Sequence, residues 1–216
     1  MQIIPYGENA ILLVFTQSID PATSRLVQTW EQRIRSAGLP GLSHFIPAYA
    51  SLTIVFEQII REPENIIAQI RQLAETTTDA PAQTERQLRI PVCYESAYAL
   101  DQQAVMEHLQ LDWHDIIQLH IQTTFQVYML GFSPGFAFMG PLPAALQIPR
   151  PATPRLKVPA RSVGRAGAQT GIYPDELPGG WQLIGRSPIH PFRPEQNNPF
   201  LFLPGDQVQF YAINSE

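Results

Sequence analysis

The first 75 residues carry two hydrophobic patterns, one with the period of a strand and one with the period of a helix. They predict, in order, strands at 2–5 and 10–15, a helix from Pro21 to Gly38, strands at 42–49 and 51–56, and a helix at 63–74. Asp20 is placed to cap the first helix, and Pro21 suits its first turn. With one more strand, this order of elements makes a ferredoxin-like α/β sandwich.

The second half begins after the polar stretch 76–86, which is typical of a linker. The pattern then predicts a strand at 87–94, helices at 102–109 and 113–119 capped by Asp101 and Asp112, a strand from Phe125, and a last strand at 207–213. Short strands between turns are typical of a β-barrel or a β-sandwich. We therefore predict an α+β chain of two domains, 1–82 and 83–216.

Turn-forming residues concentrate in one part of the chain. Residues 131 to 205 hold 10 of the 13 glycines and 14 of the 21 prolines. Large aromatic side chains lie between them, which favours ordered turns over disorder. This part includes YMLGFSPGFAFMGPLP at 128–143 and TGIYPDELPGGWQLIGRSP at 170–188, where we expect the functional residues.

The charge of the chain is unevenly distributed. The net charge is −5, but residues 149–193 hold seven basic and two acidic residues. Six of the seven are Arg, which can bind a carboxylate or a phosphate through two hydrogen bonds, so the segment favours a small anionic partner. A general preference for Arg also explains this, because the whole chain has 13 Arg and one Lys. The acidic balance and the lack of a recognised motif argue against nucleic acid.

Composition also predicts the compartment. No apolar run approaches the roughly 20 residues of a membrane span, and the N-terminal residues lack the basic start of a signal peptide. The single cysteine, Cys93, excludes an internal disulfide and fits a reducing compartment. We expect a cytoplasmic protein that does not associate with membranes.

The sequence argues against a nucleophile elbow, a phosphate-binding Walker loop and a histidine metal site. GFSPG at 131–135 resembles a nucleophile elbow, but the residue after Ser133 is a proline, which has no N–H for an oxyanion hole. No Walker loop for phosphate is present. His108, His114 and His120 are six residues apart, so they would lie on different faces of a helix, which argues against a metal site.

Longer motifs point to a family. In order, the chain reads IPVCY at 90–94, GFSPGF at 131–136, PRPATPR at 149–155, TGIYP at 170–174, PGGW at 178–181 and PGD at 204–206. With this ordered set, the chain resembles the family of the 5-oxoprolinase B subunit over essentially its whole length. The family is also labelled kinase A inhibitor or allophanate hydrolase subunit 1.

The resemblance implies a small N-terminal α+β domain and a C-terminal cyclophilin-like β-barrel. It implies a protein that is inactive alone and acts with two partners of the same enzyme, the C subunit, which has a related barrel fold, and the A subunit. Together such subunits hydrolyse 5-oxo-L-proline to L-glutamate at the expense of ATP. Phosphorylation of the lactam oxygen would activate the ring amide for attack by water. The resemblance does not say which of the subunits binds ATP.

On this resemblance we expect one cleft that holds a small anionic substrate. His120 is the candidate for proton transfer, although a His near a helix C-terminus is also explained by the helix dipole. The candidate residues for binding the substrate or another anion are Phe132, Arg150, Arg155, Tyr173, Trp181 and Arg186.

Two alternative functions are also suggested, and the chain differs from the family pattern in one loop. One family label suggests a regulatory protein that binds and inhibits a sensor histidine kinase. A barrel of cyclophilin type suggests a prolyl isomerase, but a shared fold does not carry a shared function. Where the family usually reads GSVGIAG, this chain has Arg161 and Arg165 in place of a glycine and an apolar residue. If this loop lines the site or an interface, the change predicts a different ligand or partner preference.

Overall fold

The computed structural model describes residues 1–16, 19–75 and 86–214. The chain forms two compact units, Met1–Thr84 and Glu85–Glu216. The predicted boundary between 82 and 83, and all but the last residue of the predicted linker, lie outside the described residues. That boundary therefore stays a prediction, whereas the α+β fold class is confirmed.

The first unit is a four-stranded antiparallel sheet with two helices. Its elements are β1 (Gln2–Pro5), β2 (Ala10–Val14), α1 (Pro21–Ala37), β3 (Leu42–Pro47), β4 (Ser51–Phe56) and α2 (Pro63–Glu75). The strand order across the sheet is β1-β2-β4-β3. The edge strand that completes the ferredoxin-like sandwich is therefore β1, which pairs with β2 as a hairpin before the first helix begins.

Local sequence explains how this unit forms. Asp20 accepts a hydrogen bond from the Thr23 N–H at 2.9 Å and starts α1, and Gly38 ends the helix with a left-handed φ of 62°. Alternate residues of β4 are buried, as in a strand with one face on a core. The core shared by the sheet and both helices includes Leu13, Trp30, Ile34, Leu52, Ile54, Phe56, Ile67 and Ile70.

The second unit is a closed barrel with two helices against it. In chain order its elements are β5 (Gln87–Cys93), α3 (Gln102–Leu109), α4 (Trp113–Gln122), β6 (Thr124–Leu130), β7 (Ala137–Gly140), a 3-10 helix (Ala144–Leu146), β8 (Arg155–Val158), β9 (Ser162–Ala166), β10 (Gln169–Ile172), β11 (Leu177–Gly179), β12 (Gln182–Arg186) and β13 (Gln207–Ile213). Around the barrel the order is β10-β7-β6-β13-β5-β12-β9, and β9 pairs with β10 to close it. The strands β8 and β11 form a separate antiparallel ribbon.

The first and last strands of this unit lie side by side. β5 and β13 are parallel, with Cys93 opposite Ile213 at their ends. Arg186 at the end of β12 pairs with Cys93 and with Ser162 at the start of β9. The ends of β5, β12 and β13 and the start of β9 therefore meet in one region of the barrel wall.

The barrel wall separates two apolar cores. Val163 and Ile184 point into the barrel interior. Tyr173 and Leu183 point to the other side of the wall, where they pack with Phe136. Because successive side chains of a strand point to opposite faces, residues that are adjacent in sequence belong to different cores.

The prediction that Asp101 and Asp112 cap the two short helices is wrong. Asp101 and Asp112 precede α3 and α4, but neither side chain forms a capping hydrogen bond. The Asp101 carboxylate instead accepts hydrogen bonds from Arg155 and from the Leu183 N–H. A charged partner and a backbone donor from distant parts of the chain thus replace the local cap.

Gly171 on β10 is a position where the barrel tolerates no side chain. A Cβ atom there would lie 2.6 Å from the Ala137 carbonyl oxygen and 3.3 Å from the Trp181 ring. Because the carbonyl belongs to the barrel backbone, we expect Gly171→Ala to lower the free energy of unfolding by about 1–3 kcal/mol in urea titrations. Gly180→Ala is the control, since its Cβ would meet Pro154 at an ordinary 3.6 Å. Equal losses in the two variants would contradict the packing argument.

Candidate functional site

His120 lies in the barrel core and is fully buried. The helix that carries it, α4, packs against β13 and the 3-10 helix. The His120 ring is stacked on Phe210 with 4.7 Å between ring centroids, and Phe125 lies beside it. Its Nδ1 is 2.7 Å from Tyr94 Oη, and its Nε2 is 3.3 Å from Thr170 Oγ1. The two ring nitrogens are therefore both engaged inside the protein.

The Thr170 hydroxyl determines which of these groups donates and which accepts. The Thr170 hydroxyl donates to the Gly164 carbonyl oxygen at 3.0 Å. Because its one proton is used there, Thr170 accepts a hydrogen bond from His120 Nε2–H. In the neutral ring, Nδ1 then carries no proton and accepts a hydrogen bond from the Tyr94 hydroxyl. We call this arrangement, with a neutral imidazole between two hydroxyl groups, the Tyr94–His120–Thr170 chain.

Burial favours the uncharged forms of both His120 and Tyr94. Burial, together with the positive charge of Arg165, lowers the pKa of His120 to about 3. Burial also raises the pKa of Tyr94 well above its ordinary range. Both groups are uncharged at neutral pH. We predicted that His120 transfers a proton, but neither of its ring nitrogens is exposed to a substrate in this structure.

Three of the predicted binding residues meet around Phe136. The ring of Phe136 lies 4.8 to 5.5 Å, between centroids, from four other rings, which with it form the aromatic cluster: Phe132, Phe138, Tyr173 and Trp181. Phe132 is 61% exposed and has a left-handed φ of 66°. Burial raises the pKa of Tyr173 to about 12. Most of this cluster is a packed core, and Phe132 is its exposed member.

Two predicted arginines lie near the aromatic cluster, where both positive charges act on the Tyr173 hydroxyl. Arg150 is exposed. Arg155 binds the Asp101 carboxylate through two hydrogen bonds of 2.9 and 2.5 Å. The guanidinium fork of Arg155 is therefore occupied within the fold and is not free for a substrate carboxylate.

An open cleft of about 690 Å³ lies where the ends of β5, β12 and β13 meet. We call it the arginine cleft. It is lined by Cys93, Tyr98, Arg161, Arg186, Ser187, Pro188, Ile213 and Asn214. Among the described residues, no acidic side chain belongs to this lining, and the two guanidinium groups are its charged members.

Backbone carbonyls position the two arginines of the cleft. Arg186 Nε donates to the Ala160 carbonyl oxygen at 2.9 Å, and Arg161 Nη1 donates to the Pro188 carbonyl oxygen at 3.3 Å. Neither arginine belongs to an ion pair within the described ranges. Two anchored cations without an acidic partner are suited to bind a carboxylate or a phosphate.

The single cleft predicted from the sequence is divided in the structure among three places. His120 lies in the barrel core, and Arg186 lines the arginine cleft. The remaining residues lie in or near the aromatic cluster, namely Phe132, Arg150, Arg155, Tyr173 and Trp181. Sequence reasoning missed Arg161 as a site residue, although its departure from the family pattern marked it. It also missed Tyr94 and Thr170, which lie inside two of the family motifs.

Within the described residues, no three His, Cys, Asp or Glu side chains lie close enough together to hold a metal ion. In those same ranges, every helix is too short or too polar to cross a membrane.

Comparison with known proteins identifies the family. Residues 1–202 match the sequence profile of the carboxyltransferase domain, subdomains C and D. The chain is 37% identical to the 5-oxoprolinase B subunit of Bacillus subtilis, over 100% of this chain and 94% of that protein. It is also 37% identical to the 5-oxoprolinase B subunit of Escherichia coli O157:H7, over 94% of this chain and 92% of that protein. The chain belongs to the 5-oxoprolinase B subunit family.

A solved structure supports the same relationship. The crystal structure of TTHA0988 is similar to 96% of this chain, with a TM-score of 0.83 and 33% sequence identity. This chain spans only 41% of the length of TTHA0988. This chain therefore corresponds to one part of the longer protein TTHA0988.

His120 makes the stability of the fold sensitive to acid. Its pKa is about 3 in the folded chain against an ordinary 6.5, so below about pH 6.5 the unfolded chain takes up a proton that the folded chain does not. This contribution to stability is complete above the unfolded pKa and is lost as the pH falls from about 6.5 towards 3. The loss is at most about 1.4 kcal/mol per pH unit, and urea unfolding from about pH 7.5 to about pH 5 measures it.

Two variants separate this effect from general acid denaturation. We expect His120→Gln to reduce the slope of stability against pH, because the buried titrating group is gone. His108→Gln changes an exposed histidine on α3 and should keep the slope of the unmodified protein. An unchanged slope in His120→Gln would contradict the assignment.

Proposed function

We propose that this chain is one subunit of an ATP-dependent 5-oxoprolinase that hydrolyses 5-oxo-L-proline to L-glutamate in the cytoplasm. The observation that carries this proposal is the full-length similarity to proteins named as the B subunit of 5-oxoprolinase. The name of these relatives implies further subunits. We therefore propose that this chain belongs to an oxoprolinase-type complex and is inactive without its partners.

The chemistry of the reaction is compatible with the arginine cleft. The substrate carries a carboxylate, the product carries two, and ATP carries phosphates, so every small molecule involved is an anion. The cleft has a volume of about 690 Å³, within the usual range for sites of small molecules, and it presents two guanidinium groups. We propose that Arg186, with Arg161 beside it, binds an anionic group of the substrate.

A second surface is suited to a partner protein. The ribbon strand β8 packs Val158 into the core of the aromatic cluster and leaves Leu156 88% exposed. Phe132 of the cluster is exposed as well. We propose that these apolar side chains contact a partner, such as a C subunit of related barrel fold. Because this chain spans 41% of TTHA0988, the rest of that longer protein could correspond to such a partner.

Adding the chain back to an extract tests the function. An extract that lacks only this chain, with the partner subunits present, is assayed for ATP-dependent conversion of 5-oxoproline to glutamate. We expect the purified chain to restore conversion. We expect Arg186→Met to restore it about 10-fold to 100-fold less efficiently, because a hydrogen-bonded charge contact contributes about 1.5–3 kcal/mol.

The control for this experiment is Arg71→Met, which removes an exposed arginine from α2 in the other unit. It should restore conversion as well as the unmodified chain does. No conversion with the unmodified chain would contradict the proposed function and would favour binding to a histidine kinase. Full activity of Arg186→Met would contradict only the assignment of the cleft.

Complex formation tests the proposed partner surface. We expect Leu156→Asp to reduce recovery of the partner protein with the tagged chain about tenfold, because a charge would have to be buried in an apolar contact. Ile59→Asp is the matched control, since Ile59 is an exposed apolar residue of the first unit, at 65%. Undiminished recovery with Leu156→Asp would exclude β8 from the interface.

A further inference from the structure

Arg165 is a cationic side chain enclosed in the barrel. It lies on β9 two residues after Val163, which points into the barrel core, so strand alternation sends both side chains to the same side. Arg165 is 0% exposed. Within the described ranges, Nε, Nη1 and Nη2 of its guanidinium group all lack a hydrogen-bond partner.

The polar side chains beside Arg165 on the neighbouring strands form no hydrogen bond with its guanidinium group. The residues opposite it are Thr170 on β10 and Gln182 on β12. The Thr170 hydroxyl donates to a carbonyl oxygen, and Gln182 Nε2 donates to the Pro149 carbonyl oxygen at 3.3 Å. Tyr94 is close enough to act on the Arg165 charge, but its hydroxyl oxygen accepts no hydrogen bond from the guanidinium group.

No carboxylate balances this charge in the part of the chain that the structure describes. Arg165 takes part in none of the ion pairs found there. Asp206 is a buried acid of the same unit, but it binds Arg86 and the Leu203 N–H. Asp101 binds Arg155. Each of these buried or half-buried acids is therefore committed to another partner.

An enclosed cation without an acceptor is unfavourable. Burial lowers the pKa of Arg165 to about 10, which still leaves the group charged at neutral pH. Charged groups removed from water are ordinarily paired, because desolvation is costly unless an opposite charge and hydrogen bonds compensate it. The barrel therefore holds hydrogen-bond donors and a positive charge that the described protein groups do not satisfy.

We propose that the barrel of this chain encloses a small monovalent anion bound to Arg165. One guanidinium group balances one negative charge, and its planar fork suits a halide or a small carboxylate such as formate. The apolar residues that line the barrel interior, among them Phe125, Ile184 and Phe210, disfavour a larger or more highly charged ligand. This site is distinct from the open arginine cleft and does not depend on the proposed enzymatic function.

The anion would also affect the nearby histidine. The charge of Arg165 contributes to the low pKa of His120. A bound anion would offset that charge, so burial alone would keep His120 neutral, and the hydrogen bonds of the Tyr94–His120–Thr170 chain would stay unchanged. The role of the anion would thus be structural, since it would balance the charge of the barrel core.

Bromide provides a direct test, because its anomalous scattering locates it in a crystal. In crystals of the unmodified chain grown with bromide, we expect a peak within hydrogen-bond distance of the Arg165 guanidinium. Crystals of Arg165→Met, which has a neutral side chain of similar length, should lack this peak. Absence of the peak from the unmodified chain, with only water at the guanidinium, would overturn the proposal.

Thermal unfolding at constant ionic strength gives a second readout. Replacing gluconate with chloride or formate should raise the Tm of the unmodified chain by about 2–4 °C and leave that of Arg165→Met unchanged. The stronger of the two anions identifies the preferred class. Arg71→Met, which removes an exposed arginine of α2, should keep the response. Equal responses in the unmodified chain and Arg165→Met would overturn the proposal, and if Arg165→Met does not fold, the bromide peak decides.

Discussion

Strand alternation around a closed barrel decides where each functional side chain of this protein lies. Successive residues of β9 and β12 point to opposite sides of the wall, so Val163 and Arg165 enter the interior while Leu183 faces the aromatic cluster. Pairing of β9 with β10 closes the barrel, and the apolar side chains of its interior are buried. Keeping the register is therefore a condition for both the packed cores and the open cleft at the strand ends.

The barrel interior is unusual in its polar content. His120, Tyr94 and Thr170 satisfy one another in a chain that ends on a backbone carbonyl, so this part of the core carries no net charge. Arg165 is different, since it brings a charge without an acceptor among the described residues. The two departures from the family pattern thus act in different environments. Arg161 adds a cation to an open cleft, and Arg165 adds one to an enclosed core.

Family membership and geometry support the proposed function in different ways. Full-length similarity to the 5-oxoprolinase B subunit relates this chain to a named set of proteins. The structure adds a cleft with two arginines, whose described lining holds no acidic residue, and an exposed apolar ribbon. An anionic substrate and a partner protein would require such features. The ion pair of Arg155 with Asp101 shows that a motif arginine can serve the fold rather than the substrate.

The sequence by itself determined the helices, most strands, the α+β class and the family, because caps, periodic apolar positions and turn residues are local properties. Asp20 and Gly38 mark the beginning and the end of α1, as their residue types predict. Only the tertiary structure decided that Asp101 binds Arg155, 54 residues away, and that Thr170, 50 residues from His120, meets it in the barrel core. Such contacts depend on strand register and barrel closure. No local pattern specifies them, which is why one predicted cleft became three separate places.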